Sequence, residues 1–558
     1  MTKKITVGNY LIKRLKELGI KDVFGVPGDY NLLFLDQIDD AENLNWIGNC
    51  NELNASYAAD GYARINGMGA LVTTFGVGEL SAINGIAGSY AEHVPVIKIV
   101  GMPSTTVINN KKLVHHTLGE GIFNNFSEAF KQVTVGTCIL DDLDKASKEI
   151  DSILCKCYYE KKPVYIGLPI DISGAEILDN DSPLSLSKFE SDKKTLEKFT
   201  ENLLNKINNA KFPMILTDFE VNRYGLNNEL LNFIEKSGLP VASLGLGKGV
   251  IDETHSQFIG TYNGTLSNDY IKSIVEKADC FILIGVKLTD SITAGFSFIH
   301  NLNDIDIINI HPLFSTLDNK TFSNIYMKDI LTKLASNVAS RNFKKENINI
   351  EEDVPCDELN SSEILTQKSF FNKINNFIKP NDVLLAEQGT SFFGACTLNL
   401  KENCMFVGQP LWGSIGYTLG ALLGTQIADK TRRNILLIGD GSFQLTAQEL
   451  STILYNNLNP ILFIINNDGY TVERYIHGAN RHYNDINMWD YKSLPQVFNG
   501  SSKSVSFKVT SAKELDTVLN KINNIKDKLV LVEVVMGKMD APKLLKNLSE
   551  KFSKQNQY

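Results

Sequence analysis

The sequence predicts an α/β protein of three doubly wound parallel-sheet domains. Two observations carry this. Short apolar runs, each ending in a turn of small or polar residues, alternate with helical periods along the whole chain. Polar stretches near 178–195 and 340–362 then divide that alternation into blocks. The predicted domains are 1–180, 195–340 and 360–558. A chain of 558 residues suits about three or four domains. Its 43% hydrophobic content is ample for their cores.

The first block opens with Val7, Tyr10, Leu11, Leu15 and Leu18 at helical spacing, with Lys13, Arg14, Lys16 and Glu17 between them. That is an amphipathic helix rather than a basic-plus-apolar leader. Strands are expected at 22–26, 70–74, 94–100 and 164–168. The first three end in Pro27-Gly28-Asp29, in Phe75-Gly76-Val77-Gly78 and in Gly101-Met102-Pro103. Glu52 heads a run of small residues that reads as a helix, at the end where the helix dipole favours a carboxylate. The second block has strands near 214–217, 241–243, 280–284 and 305–310. The third opens with a strand at 382–386 and closes with one at 529–535. Within it, Gly416, Gly420 and Gly424 recur every fourth residue, the mark of a helix that packs closely in a core. A short echo links the outer blocks. Glu79-Leu80-Ser81 precedes the strand after Pro95, and Glu449-Leu450-Ser451 precedes the one after Pro460. Two similar folds or coincidence would both produce it.

A net charge of −9 and a pI near 5.6 argue against nucleic acid or an anionic membrane surface as partner. No apolar run approaches membrane-spanning length. The eight cysteines are scattered, and the closest pair, Cys155 and Cys157, is not a CxxC. Free thiols in a cytoplasmic protein are expected. The eight histidines form no zinc motif.

The chemistry concentrates in two strand-end turns of the third block. The run 434–438 delivers Gly439-Asp440-Gly441-Ser442, and the run 461–465 delivers Asn466-Asn467-Asp468-Gly469-Tyr470. In an open α/β sheet both turns fall at the carboxyl edge, where ligands bind. Glycines let backbone amides approach a phosphate, and a helix expected from about Gln444 would point its positive end there. One carboxylate (Asp440) and one amide oxygen (Asn467) suit Mg²⁺, which keeps phosphate and water among its ligands. An isolated Gly-Asp-Gly is also compatible with an ordinary turn.

The paired motifs, GDGSFQL at 439–445 and NNDGYTVE at 466–473, resemble the signature of thiamine-diphosphate (ThDP) enzymes. Over essentially the full length the chain is similar to their 2-oxo acid decarboxylases, which act on pyruvate, indolepyruvate or branched-chain acids. The resemblance implies pyrimidine-binding, middle and diphosphate-binding domains in that order. It implies Mg²⁺ on Asp440, Asn467 and the Gly469 carbonyl, and ThDP contacts from Glu52, Gln388, Thr390, Gly413, Ile415, Gly439, Asp440, Gly441, Ser442, Asn467, Gly469 and Tyr470. The Gly413 carbonyl would accept from the 4′-amino group. Ile415, stiff at χ1, would hold the two rings bent, although plain core packing would also use an Ile there. Glu52 would hydrogen-bond N1′ of the aminopyrimidine and relay the proton that activates C2.

Asp29, His115, His116 and Glu473 match the family's catalytic positions. Taken alone, Asp29 could be a helix cap, the histidines a surface pair and Glu473 a surface carboxylate. The doublet His115-His116 separates the decarboxylases from acetolactate-synthase-type carboligases, which generally lack it. Matched substrate-pocket positions are Ser291, Gln388, Phe392, Val472, Ile476, Leu548 and Phe552. Gln388 and the modest side chains near it suggest broad use of linear, branched and aromatic 2-oxo acids, with pyruvate within reach. The tail Gly537 to Lys543 instead resembles bacterial pyruvate decarboxylases, so a dedicated pyruvate enzyme is the alternative. Some fungal relatives carry a middle-domain Cys linked to substrate activation; the stretch 217–223 has none. The family's active site lies between chains, which implies a homodimer or homotetramer.

Overall fold

The computed structural model describes residues 4–186, 190–297, 305–345 and 364–555. The polar stretch predicted at 340–362 falls largely outside the described residues.

Three sheets of six or seven strands dominate. The first runs in the order Asn45–Gly48, Asp22–Gly25, Gly69–Thr74, Val96–Met102, Val164–Pro169, Gly136–Ile139, and every pair is parallel. The third runs Met405–Val407, Val383–Ala386, Asn434–Gly439, Ile461–Asn466, Leu529–Val535, Ser504–Val509, again all parallel. The two orders are the same when strands are matched by sequence position. The Glu-Leu-Ser echo therefore reflects equivalent places in two like folds: Glu79 and Glu449 both lie in helices that follow the third strand of their sheet and precede the fourth.

The middle sheet is parallel from Phe258–Thr261 through Val241–Ser243, Pro213–Thr217 and Cys280–Ile284 to Asp306–Ile310. It then continues antiparallel through Phe314–Leu317 and Lys320–Ser323. The hairpin turns on Asp318 and Asn319, both at positive φ, as a two-residue primed turn requires.

Central strands, buried on both faces, coincide with the predicted apolar runs. The strands the sequence left unmarked are mostly short, half-buried edges such as Asn45–Gly48 and Gly136–Ile139, which lack a continuous apolar run. The helix after Gly439 begins at Asp440 rather than near Gln444. Gly439 is the extended N-cap, and Asp440 in the first turn accepts from Gly441 N, so the helix starts on the motif itself.

The outer domains meet through two small-residue helices, Glu52–Asn66 and Tyr417–Ala428. A Cβ on Gly424 would stand 1.9 Å from the Ala58 carbonyl oxygen, and one on Gly61 2.2 Å from that of Ala421. Across this seam Tyr417 Oη donates to Asp60 Oδ1 at 2.5 Å and Arg64 donates to the Gly408 carbonyl, while Asp60 and Glu92 of its own domain pair with Arg64. After the first domain, the chain at Ser182–Leu184 is held to the first helix by Arg14 and Glu17.

Candidate active site

The third sheet's carboxyl edge holds a cradle of oxygens. Asp440 is 1% exposed. Its Oδ1 accepts from Gly441 N at 2.8 Å, and its Oδ2 from Asn467 N and Gly469 N, each at 3.2 Å. Burial still pushes its carboxyl up to about 6. The Asn467 side-chain oxygen stands 3.2 Å from Asp440 Oδ1 and 3.2 Å from the Gly469 carbonyl oxygen. Three acceptors facing one another repel unless a cation lies among them. Adjacent ligands of an octahedron with bonds of about 2.1 Å are about 3.0 Å apart, so these oxygens fit Mg²⁺. Turned by 180°, the amide would instead donate to both oxygens, the arrangement expected of metal-free protein.

The loop carrying Gly469 and Tyr470 is tied down from behind. Arg474, buried, donates to the Asp468 and Asn484 carbonyls and to Asp485 Oδ1. Lys538 pairs with Asp468 and Asp485. Arg474 and Lys538 together hold the Asp485 carboxyl down to about 2. Gly469 takes φ +109, and a Cβ there would meet the Asn484 carbonyl oxygen at 2.2 Å. Gly441 has no room either, because its Cβ would meet the Tyr470 ring at 2.6 Å.

The turn bearing Gly413 and Ile415 is fixed by both outer domains. Gly413 (φ +68) has no atom within 4 Å of a Cβ position. Next to it, the Ser414 hydroxyl meets Tyr57 Oη at 2.5 Å and Asn84 Nδ2 at 3.0 Å. Glu387, which the sequence reading passed over, accepts from Thr418 N and Thr418 Oγ1 and from Gln388 N, and so sets the start of the following helix. Burial raises its carboxyl to about 7. Its signal in the sequence was its place at a strand end, directly after Val383–Ala386. Thr390 begins the short helix Thr390–Ala395, and among the described residues the buried Gln388 Oε1 has no hydrogen-bond partner.

A second cluster forms at the first sheet's carboxyl edge. His115 Nε2 lies 2.7 Å from Asp29 Oδ2, and His116 Nε2 lies 3.6 Å from Asp29 Oδ1. The donor atoms of all three residues lie within 4.8 Å of one another. Asn31, not Asp29, takes the N-cap position of the helix that follows. Tyr30 stacks on His115 at 5.0 Å, and His116 is held at φ +60. Glu52 is the first residue of its helix; its Oε1 lies 3.0 Å from where a Cβ on Gly78 would be, so a larger residue there would crowd it. Behind this edge Lys98 is fully buried; burial lowers it to about 7 even though Glu79 and Glu52 lend it negative field.

Among the described residues, no hydrogen bond or ion pair joins Asp29, Glu52, His115 or His116 to Asp440, Asn467 or Glu473. Glu473 lies exposed in the helix Thr471–Ile476. One chain thus carries two clusters that it does not bring into contact. Of the matched pocket residues, Phe392 and Leu548 are buried in the core of the third domain, with Val472 and Phe552 half-buried against it. Val472 Cγ2 lies 3.5 Å from a Cβ built on Gly389. Ile476 is half-buried on the same helix as Val472 and Glu473. Ser291 donates to the Pro410 carbonyl oxygen. The terminal helix Lys543–Gln555 reaches across to the Ser291 loop, where Lys551 donates to the Ala294 carbonyl.

Three family models match the chain in order: the N-terminal TPP binding domain of thiamine pyrophosphate enzymes over residues 5–127, their central domain over 200–330, and their C-terminal TPP binding domain over 389–534. Among curated proteins, the chain is 40% identical to pyruvate decarboxylase of Aspergillus fumigatus, over 100% of this chain and 98% of the relative. It is 40% identical to that of Aspergillus terreus, over 99% and 98%. Pyruvate decarboxylase isozyme 1 of Saccharomyces cerevisiae is 39% identical, over 97% of each.

Proposed function

The chain belongs to the thiamine pyrophosphate enzyme family, and we propose that its two clusters form one decarboxylation site between the subunits of a homodimer. It is a ThDP-dependent carboxy-lyase that acts on 2-oxo acids. The observation that carries the metal site is the convergence of Asp440 Oδ1, the Gly469 carbonyl and one end of the Asn467 side-chain amide, which can turn its oxygen to a metal.

When bound, ThDP supplies the carbon nucleophile and electron sink, with Mg²⁺ anchoring its diphosphate. Asp440, the Asn467 side-chain oxygen and the Gly469 carbonyl hold the metal. The amides of the Gly439–Ser442 turn and Tyr470 line the diphosphate. Gln388, Thr390, the Gly413 carbonyl and Ile415 orient the rings. Glu52 holds and releases a proton at its carboxyl, from a helix end beside the close-packed Gly78. Asp29, His115 and His116 pass protons to and from the substrate, and the short Asp29–His115 contact fixes the first step of that chain. Glu473 orients the substrate carboxylate. Val472, Ile476, Phe552 and Ser291, backed by Phe392 and Leu548, exclude water and leave room for linear, branched and aromatic side chains, with pyruvate among the substrates.

Exposed apolar side chains lie close to both clusters: Val77 (56% exposed) and Leu80 are on the helix next to Glu52, and Leu445 (49% exposed) is on the helix that starts at Asp440. Burying these faces against a second chain brings the clusters together and removes the apolar exposure. Pairing of dimers into a homotetramer and a cytoplasmic location complete the reading.

Chelator-stripped protein tests it. Adding Mg²⁺ and ThDP back should restore CO₂ release from pyruvate, 2-oxoisovalerate, 2-oxoisocaproate, phenylpyruvate and indolepyruvate. Activity on pyruvate alone would favour the dedicated enzyme, and acetolactate as the sole product would favour a carboligase.

A further inference from the structure

A cleft of about 1480 Å³ lies where the three domains meet, and none of the candidate active-site residues lines it. Cations reach it from every domain: Lys161 from the first, Arg223 from the second, and Lys379, Arg432 and Lys526 from the third. Their partners are neutral. The Lys161 ammonium lies 4.2 Å from the Tyr158 ring centre. Arg223 Nε donates to the Glu92 carbonyl oxygen, and Lys379 Nζ to Asn523 Oδ1. Arg432 donates to the carbonyls of Asn381, Asp382 and Asn403. Among the described residues, none of the five forms an ion pair.

Four carboxylates line the cleft, of which Asp382 is ion-paired. Asp382 pairs with Arg433, Asp429 accepts from Thr431, and Asp252 accepts from Thr254. Hydrogen bonds from threonine leave Asp252 and Asp429 ionised, so with Glu402 three carboxylates, unpaired among the described residues, face the five cations. The cleft therefore carries a modest excess of cations over unpaired carboxylates. Burial lowers Lys161, Lys379 and Arg432, and takes Arg223 down to about 10 with Arg64 adding repulsion. Like charges gathered in a partly dehydrated cleft cost free energy that a bound anion removes, and arginine forks match phosphate oxygens.

We propose that this cleft binds an extended oligophosphate, a chain of two or more phosphates either free or carried by a nucleoside. A chain of phosphates offers more anionic oxygens than a single orthophosphate to cations that come from three domains.

Isothermal titration of the holoenzyme tests this. ThDP should be saturating, so that the diphosphate site is filled, and Mg²⁺ should exceed all added phosphate, so that chelation strips nothing. At about 0.15 M salt, tripolyphosphate should bind saturably and at least about tenfold more tightly than orthophosphate. Equal binding of ATP identifies the bare phosphate chain as the ligand, and tighter binding of ATP identifies a nucleotide. The double variant Lys379→Glu/Lys526→Glu should weaken binding by about tenfold or more, and Lys161→Met several-fold. Lys194→Glu, at an exposed position outside the cleft, should leave binding unchanged. No saturable binding to the wild-type holoenzyme, or binding that the double variant does not alter, overturns the proposal.

Discussion

Asp440 is a carboxylate that three backbone amides do not fully compensate: burial lifts it from 3.8 to about 6. In metal-free protein it therefore binds its proton more tightly folded than unfolded. That stability is complete below about pH 4 and is lost as pH rises through about 6. Mg²⁺ reverses the balance, because it binds only the ionised form. Mg²⁺ affinity should thus fall up to about tenfold per pH unit below about 6 and level off above it, as titration calorimetry at pH 5 and pH 7 would read. A flat profile would remove Asp440 from the metal site. Glu52→Gln keeps the shape of the side chain but cannot relay a proton. It should lose nearly all turnover, by about 10²-fold or more, while ThDP binding by fluorescence quenching changes little. Wild-type-like turnover would exclude the relay.

At the scale of elements, two small-residue helices meet at backbone distance between the outer domains. Gly424→Ala sets two effects against each other. Helix propensity favours Ala by about 1 kcal/mol. The added Cβ, however, would sit 1.9 Å from a carbonyl oxygen that belongs to another helix's backbone, and overpacking of that kind costs about 1–3 kcal/mol or more. The variant should be less stable by about 1–2 kcal/mol, seen as a lower midpoint of thermal unfolding; a higher midpoint would mean that the seam is slack. The sequence made much of this level legible. Central strands announced themselves as apolar runs, and Gly416, Gly420 and Gly424 marked a close-packing helix. It did not reveal what that helix packs against, because helix periodicity defines a face and not its partner. Edge strands stayed hidden for want of apolar runs. The Asp318-Asn319 hairpin did so because its turn uses no glycine. Glu387 and the Arg474–Asp485–Lys538 tie act on backbone groups far along the chain, and spacing carries no trace of such contacts.

At the scale of the whole molecule, the two like-folded outer domains each present a cluster at the carboxyl edge of their sheet, where an open α/β sheet binds ligands. On the proposed reading each cluster supplies one half of a site. If the halves meet between subunits, activity should fall on dilution as dimers separate, in step with the mass measured by light scattering. The most direct measurement is subunit complementation. Glu52→Gln chains and Asp440→Ala chains, each inactive alone, are dissociated, mixed and reassociated with Mg²⁺ and ThDP, and CO₂ release from a 2-oxo acid is followed. Sites shared between chains predict one intact site in every mixed dimer, so activity returns to about a quarter of wild type when pairing is random. If the mixture stays as inactive as its parents while light scattering shows mixed dimers, Glu52 and Asp440 serve the same site within one chain, and the account of a site built between subunits is contradicted.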